Sequence, residues 1–383
     1  MARHRTVGAQ AASGMFAAAP LRGAMALVVA LGLAALAADR AVAQAYRELK
    51  PAVAEGVAAA MRGKALGILR QASPPSAADL KTVEEYFNGY FFPKMTSTDP
   101  EALGQLAEMR KVLFSQFFSG AKTPAAREFL VTLTMKAAGS LAIGPFHPAV
   151  RYNAALLIGQ LDADAPPAGT PPKPLPAGTN ALTVIVAQPE IKGIPVPSSV
   201  KIAGLVGLER HTRLGVDEQY AAKITAAALA IASRAEAPAD IPGDVNSWMR
   251  VLAAKVLANQ SAKGATPPVH QALVALVGGK ELELDDRCET AKLIVPTMYA
   301  ANQAGQADEM AVALGKLAKA VLADERTKAE DYQEEVLGGG GGGFGGGGFG
   351  DGGGRRGRGG DGGFGRGGFG GMPGQPEGPA FQK

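Results

Sequence analysis

The chain is poor in the residues that carry chemistry or covalent bracing. Its 383 residues include one cysteine, one tryptophan and four histidines. A lone thiol cannot close an internal disulfide, so the fold must rest on packing, and Cys288 reads as a small buried hydrophobe on a helix. His147, His211 and His270 lie far apart, with no cluster of Cys, Asp or Glu at ligand spacing around them. Each is expected at a turn or a helix end, and no metal or other cofactor is expected. The G-x-S-x-G, H-E-x-x-H and G-x-x-x-x-G-K-S/T patterns are all missing. The neighbouring acids Glu84-Glu85 and Asp285-Asp286 would point apart on a helix and suit helix starts or a solvated face. No catalytic constellation is legible, so the expectation is a protein that is not an enzyme.

Long apolar runs are scarce as well. Ala24 to Ala38 gives 15 residues, short of the ~20 that cross a bilayer as a helix. Arg3, Arg5 and Arg22 precede this run, and Ala41-Val42-Ala43 follows it, with Gln44 next. That order predicts a cleaved signal peptide over 1–43 and an exported protein, periplasmic or extracellular. An uncleaved anchor is the alternative, and the lack of a cysteine after the run excludes a lipidated start. Concentrated charge is lacking too. The formal net charge is +4, but the arginines of residues 1–43 and of the tail supply it, leaving a near-neutral body. A DNA-binding core needs a concentrated basic face.

What the chain does have is helical periodicity, with 47% hydrophobic residues to bury. Val150, Asn153, Ala154, Leu157 and Ile158 fall on one helical face. The same offsets give Val200, Ala203, Gly204, Gly207 and Leu208, then Met249, Leu252, Ala253, Val256 and Leu257. The copies begin at residues 150, 200 and 249, a spacing that signals stacked helix pairs. Within them stand Pro148, Val150-Arg151 and Ala154; Pro197, Val200-Lys201 and Gly204; and Met249-Arg250 and Ala253. A fainter fourth copy has Thr290, Ala291, Ile294 and Val295, with Arg287 and Cys288 replacing the apolar–basic pair. This pattern resembles HEAT-like repeats over roughly Thr123 to Leu322, although the aspartate which that family usually places before the pair is missing from the first two copies. The small residue lets neighbouring helices approach closely.

The resemblance implies an all-α fold: an α-solenoid of antiparallel helix pairs, with a helical N-terminal cap and a disordered C-terminal tail, about eleven or twelve helices in all. The expected divisions are the signal peptide 1–43, a cap region 44–122, repeats over 123–337 and a tail over 338–383. In the cap, a helix over 46–70 is expected to turn Leu49, Val53, Val57, Met61, Leu66 and Leu69 inward. Ser76 and Asp79 suit the start of the next helix. Tyr86, Phe87, Tyr90, Phe91, Phe92, Phe114, Phe117 and Phe118 would close the end of the array, or alternatively form an aromatic groove for a ligand. The proline-dense stretch 165–178 reads as a surface loop, and Trp248 reads as core.

The tail, from Gly338, has no aliphatic run to bury and is expected to be disordered. Arg355, Arg356, Arg358 and Arg366 alternate with glycine and with Phe344, Phe349, Phe364 and Phe369, resembling RGG-type segments. Export and the tail's small net charge rank weak contact with anionic envelope polymers above nucleic acid as its use. The leading expectation for the whole chain is a non-catalytic scaffold of the cell envelope or exterior that binds protein partners of unknown identity. A ligand-binding or enzyme-associated role for the aromatic N-terminal helices is the alternative.

Overall fold

The computed structural model describes residues 46–338 apart from 168, 235, 262–265 and 300–306. The expected signal peptide over 1–43 and the glycine-rich residues 339–383, with their arginines, lie outside the described residues. Two compact units make up the chain, Met1–Glu325 and Arg326–Lys383. The described part is all-α, apart from one two-stranded ribbon. No described helix is long and apolar enough to cross a membrane.

Helix α1 (Glu55–Leu69) starts later than the sequence pattern suggests. Pro51 disfavours a helical residue before it, and the chain is irregular up to Ala54. The inward face of α1 is consequently Ala58, Ala65, Ile68 and Leu69, while Val57 is 54% exposed. Helix α2 (Ala77–Tyr86) opens on a capping box. Ser76 Oγ accepts from the Asp79 N–H, and the Asp79 carboxylate accepts from the Ser76 N–H. A π-helical turn, Phe87–Phe91, runs on into the short α3 (Phe92–Lys94). Asp99 caps α4 (Pro100–Gly104), and α5 (Leu106–Val112) leads into a second π turn, Leu113–Phe118. Both π turns carry aromatic residues into the core. Phe87 and Phe117 meet edge to face with centroids 4.9 Å apart, and Tyr86 stacks on Phe117 at 5.7 Å.

From Thr123 onward the helices come in pairs: α6 (Pro124–Ile143) with α7 (Pro148–Gly159), α8 (Pro176–Ala187) with α9 (Ser198–Leu214), α10 (Glu218–Ala232) with α11 (Gly243–Gln260), and α12 (Pro267–Gly278) with α13 (Leu284–Tyr299). The second helix of each pair packs on the second helix of the next, and the first helices likewise pack on one another. Local chemistry sets the starts. Thr123 Oγ1 accepts from Ala126 N–H before Pro124, and His147 Nδ1 accepts from Ala149 N–H before Pro148. A proline at the first helical position costs nothing there, because its missing N–H would have had no partner in the helix. For this reason the proline-dense loop ends at Pro176, inside the stretch 165–178 that the sequence assigned to loop. The loop's ends are tied, since Ala163 N–H donates to Lys173 O and Leu175 N–H to Leu161 O.

Between α8 and α9 the chain forms a small hairpin, β1 (Glu190–Ile191) with β2 (Ile194–Pro195). Lys192 and Gly193 both have positive φ, 53° and 77°, as the tight two-residue turn requires. The expected faces of the second helices are inside: Val150, Ala154, Leu157 and Ile158 on α7, Val200, Ala203 and Leu208 on α9, and Met249, Ala253, Val256 and Leu257 on α11. A last helix, α14 (Ala307–Gly338), buries Met310, Ala313 and Leu317 within the first unit. In the second unit Arg326 pairs with Glu330 one turn along, at 2.7 Å.

Candidate functional site

The basic residue of each second helix has a common task in three of the four pairs. Arg151 Nε donates to Ala142 O at 3.0 Å, Arg250 Nε to Ala232 O at 3.1 Å, and Arg287 Nε to Val277 O at 3.0 Å. Each acceptor is the last or next-to-last residue of the first helix in the same pair. A guanidinium can therefore meet a C-terminal carbonyl that has no partner within its own helix, and it does so at the negative end of that helix. All three arginines are buried. Arg151 also donates to Pro195 O in the hairpin, and Arg250 reaches Glu281 at 2.9 Å. Arg287 thus belongs to the series, although Asp286 before it is not apolar. Counting from these bases, Thr290 stands where Ala154, Gly204 and Ala253 stand, and it is fully buried.

The second pair differs. Lys201 occupies the basic position, and a flexible ammonium does not reproduce the planar fork. Lys201 is half-buried and lines a cavity of about 510 Å³ between α8 and α10. Lys223 and Arg234 line it too, and no Asp or Glu does. Its apolar wall includes Val186, Ala227 and Ile231, all buried, and Val184, which is exposed. A second cavity of about 660 Å³ beside the hairpin shares Lys201 and Arg234 with the first. Asp240 lines this second cavity, but Ser198 N–H and Oγ both donate to it at 2.7 Å. Burial raises the Asp240 pKa, yet the two Ser198 bonds, aided by the Arg234 charge, hold it below the usual carboxylate value. Burial lowers the Lys201 pKa, and the Arg234 charge adds to this, against a smaller opposing effect of Asp240. Nη1 of Arg234 is buried without a hydrogen-bond partner.

The face between α7 and α9 is built differently. A Cβ on Gly159 would lie 2.6 Å from Gly207 Cα, so the two backbones touch and only glycine fits. Beside them His211 is fully buried. Its Nε2 faces Gly159 O at 3.2 Å and its Nδ1 faces Thr179 Oγ1 at 2.8 Å. Gly159 O can only accept, so Nε2 carries the proton and Nδ1 accepts from the Thr179 hydroxyl. Burial, with the neighbouring Arg210 charge, lowers the His211 pKa to about 4, and the Gly159 bond opposes this only in part. Arg210 joins the pairs through Gly159 O and through Asp162 at 2.7 Å.

Several sequence expectations meet other surroundings. All three histidines stand at helix ends as expected, His147 before the start of α7, His211 in the last turn of α9 and His270 in the first turn of α12, and the last two are buried. Trp248 is 44% exposed on the outer side of α11 rather than core. Cys288 is half-buried against the core. Tyr86, Phe91 and Phe117 are buried ring on ring rather than lining an open groove, and burial pushes the Tyr86 phenol up to about 12. Tyr90 reaches the surface, where its hydroxyl meets Glu55 and Lys94. Among the described residues no group of three or more His, Cys, Asp or Glu could hold a metal ion. The tail residues Arg355, Arg356, Arg358 and Arg366 lie outside the described residues. The sequence pattern did pick out Lys201, as a base in a repeat. It gave no sign that Lys223 and Arg234 would join it, since that depends on how α8 and α10 pack. No family model, curated protein or solved structure matches the chain.

Proposed function

We propose that this chain is a non-catalytic interaction scaffold, exported to the cell envelope or exterior, whose helix pairs stack as a HEAT-like solenoid. The observation that carries the reading is the alternation of packing. First helices pack on first helices, second helices pack on second helices, and a buried arginine recurs at the same place in three pairs. Stacked pairs of this kind present long continuous surfaces, and proteins use such surfaces to hold other proteins. Export rests on the basic start, the apolar run and Ala41-Val42-Ala43 in the sequence. The glycine-rich tail would act as a flexible spacer or make weak, salt-sensitive contacts with anionic polymers through its arginines.

The test is a pull-down from envelope extract with the protein beginning at Gln44, made with and without residues 338–383. Each captured protein is then purified and titrated against the bait by calorimetry. Saturable binding of a purified partner to both forms supports the scaffold reading. If no protein binds either form saturably, the reading falls.

A further inference from the structure

We propose that the groove between α8 and α10, extended past the hairpin, binds an acidic peptide segment of a partner protein. This rests on the scaffold reading and gives it a binding site and a ligand chemistry. The groove gathers three cations, Lys201, Lys223 and Arg234, on a body whose overall charge is near neutral. None of the three forms an ion pair with another described residue. The contrast with the other pairs is informative. There the basic residue of the second helix is spent on a carbonyl of its own fold, whereas here Lys201 opens onto a cavity.

Two further observations point to an anionic occupant. Arg234 lines both cavities, and its Nη1 is buried with no acceptor. A buried guanidinium N–H without an acceptor is costly, so nothing within the fold uses up the hydrogen-bonding capacity of Arg234, and a carboxylate in either cavity meets the charge of a side chain that lines both. Asp240 and Glu236 line the second cavity but not the first, and Asp240 is already held by Ser198, so the positive charge is only partly offset. The apolar wall of Val184, Val186 and Ile231 favours a ligand with aliphatic side chains between its acids over a bare anion. Two cavities joined at Lys201 and Arg234 favour an extended segment over a single compact molecule. A peptide carrying Asp or Glu on either side of Leu or Val matches all of these features.

The experiment is a fluorescence-anisotropy titration of the purified full-length chain with a labelled, end-blocked hexapeptide, Glu-Asp-Leu-Leu-Glu-Asp. Its neutral counterpart, Gln-Asn-Leu-Leu-Gln-Asn, serves as the comparison. The acidic peptide is expected to bind saturably, and the neutral one about tenfold more weakly or worse. The Lys201→Gln/Lys223→Gln double variant and, separately, Arg234→Gln are each expected to weaken the acidic peptide by about tenfold. Lys111→Gln, on the distant α5, should leave it unchanged. The tail is the same in every variant, so its arginines cannot produce these differences. Circular dichroism melts check that each variant is folded, and the double variant keeps the test decisive if Arg234→Gln is not.

Equal binding of the two peptides, or unchanged binding to the folded double variant, would overturn the proposal. So would displacement of the peptide by an equal concentration of inorganic phosphate, which would assign the cluster to a free anion. A purified partner that binds wild type and double variant alike would sink the groove proposal and leave the scaffold reading standing. Groove binding of the peptide with no partner found in extract would do the reverse.

Discussion

Two faces of the same stack of helices solve opposite problems. Between α7 and α9 the backbones touch at Gly159 and Gly207, and the polar groups beside them are engaged across the joint: His211 with Thr179 and Gly159, Arg210 with Gly159 and Asp162. Between α8 and α10 a cavity remains, lined by Lys201, Lys223 and Arg234 with no Asp or Glu in its wall. One face spends its polar chemistry on the fold, and the other keeps it for a ligand. Side-chain size governs the difference. Glycines let the second helices close, so every buried polar group near them must find an internal partner. Between the first helices α8 and α10 the wall is largely apolar, with Val186, Ala227 and Ile231, and a cavity stays open beside the three cations.

The largest expected break of this contrast is on the structural side. Arg151→Ala strips the donor from both Ala142 O and Pro195 O and leaves a void. It should cost about 3 kcal/mol in a urea melt, and a loss under about 1 kcal/mol would mean the recurrent arginine is not a structural tie. Gly159→Ala comes next. The added carbon meets Gly207 Cα, a backbone atom that cannot rotate away, and forcing the helices apart should cost about 2 kcal/mol. Unchanged stability would show that the two backbones are not in contact.

The closed face should also respond to pH. His211 is neutral in the fold, with a pKa lowered to about 4 from its ordinary 6.5. The unfolded chain takes up the proton first, so this group's contribution is fully present above pH 6.5 and is lost as pH falls toward 4. Urea melts at pH 7 and at about pH 4.5 should differ by on the order of 2 kcal/mol from this residue. The slope should flatten in His211→Gln, and an identical slope in the variant would refute the assignment. The smallest effect is expected in the groove. Lys201→Gln removes a cation that faces Arg234 and completes no internal hydrogen bond, so stability should stay within about 0.5 kcal/mol. A large loss there would erase the distinction between the two faces.

The sequence by itself determined the helices and most of their limits. Thr123-Pro124, His147-Pro148 and Ser76 with Asp79 act on backbone N–H groups within a turn of themselves, so their effect is readable from neighbours alone. The apolar faces of α7, α9 and α11 follow from a period that local geometry imposes. Reading was poorer where a local rule was pushed too far, as with Val57 and the late start of α1 behind Pro51. Only the tertiary structure decided which residues meet across pairs. Gly159 touches Gly207, Arg287 joins Arg151 and Arg250 despite its different neighbour, His211 loses its charge, Trp248 turns to solvent, and Lys201, Lys223 and Arg234 gather at one cavity. Each of these depends on the placement of helices remote in sequence, and on the desolvation that placement imposes, which no spacing along the chain encodes.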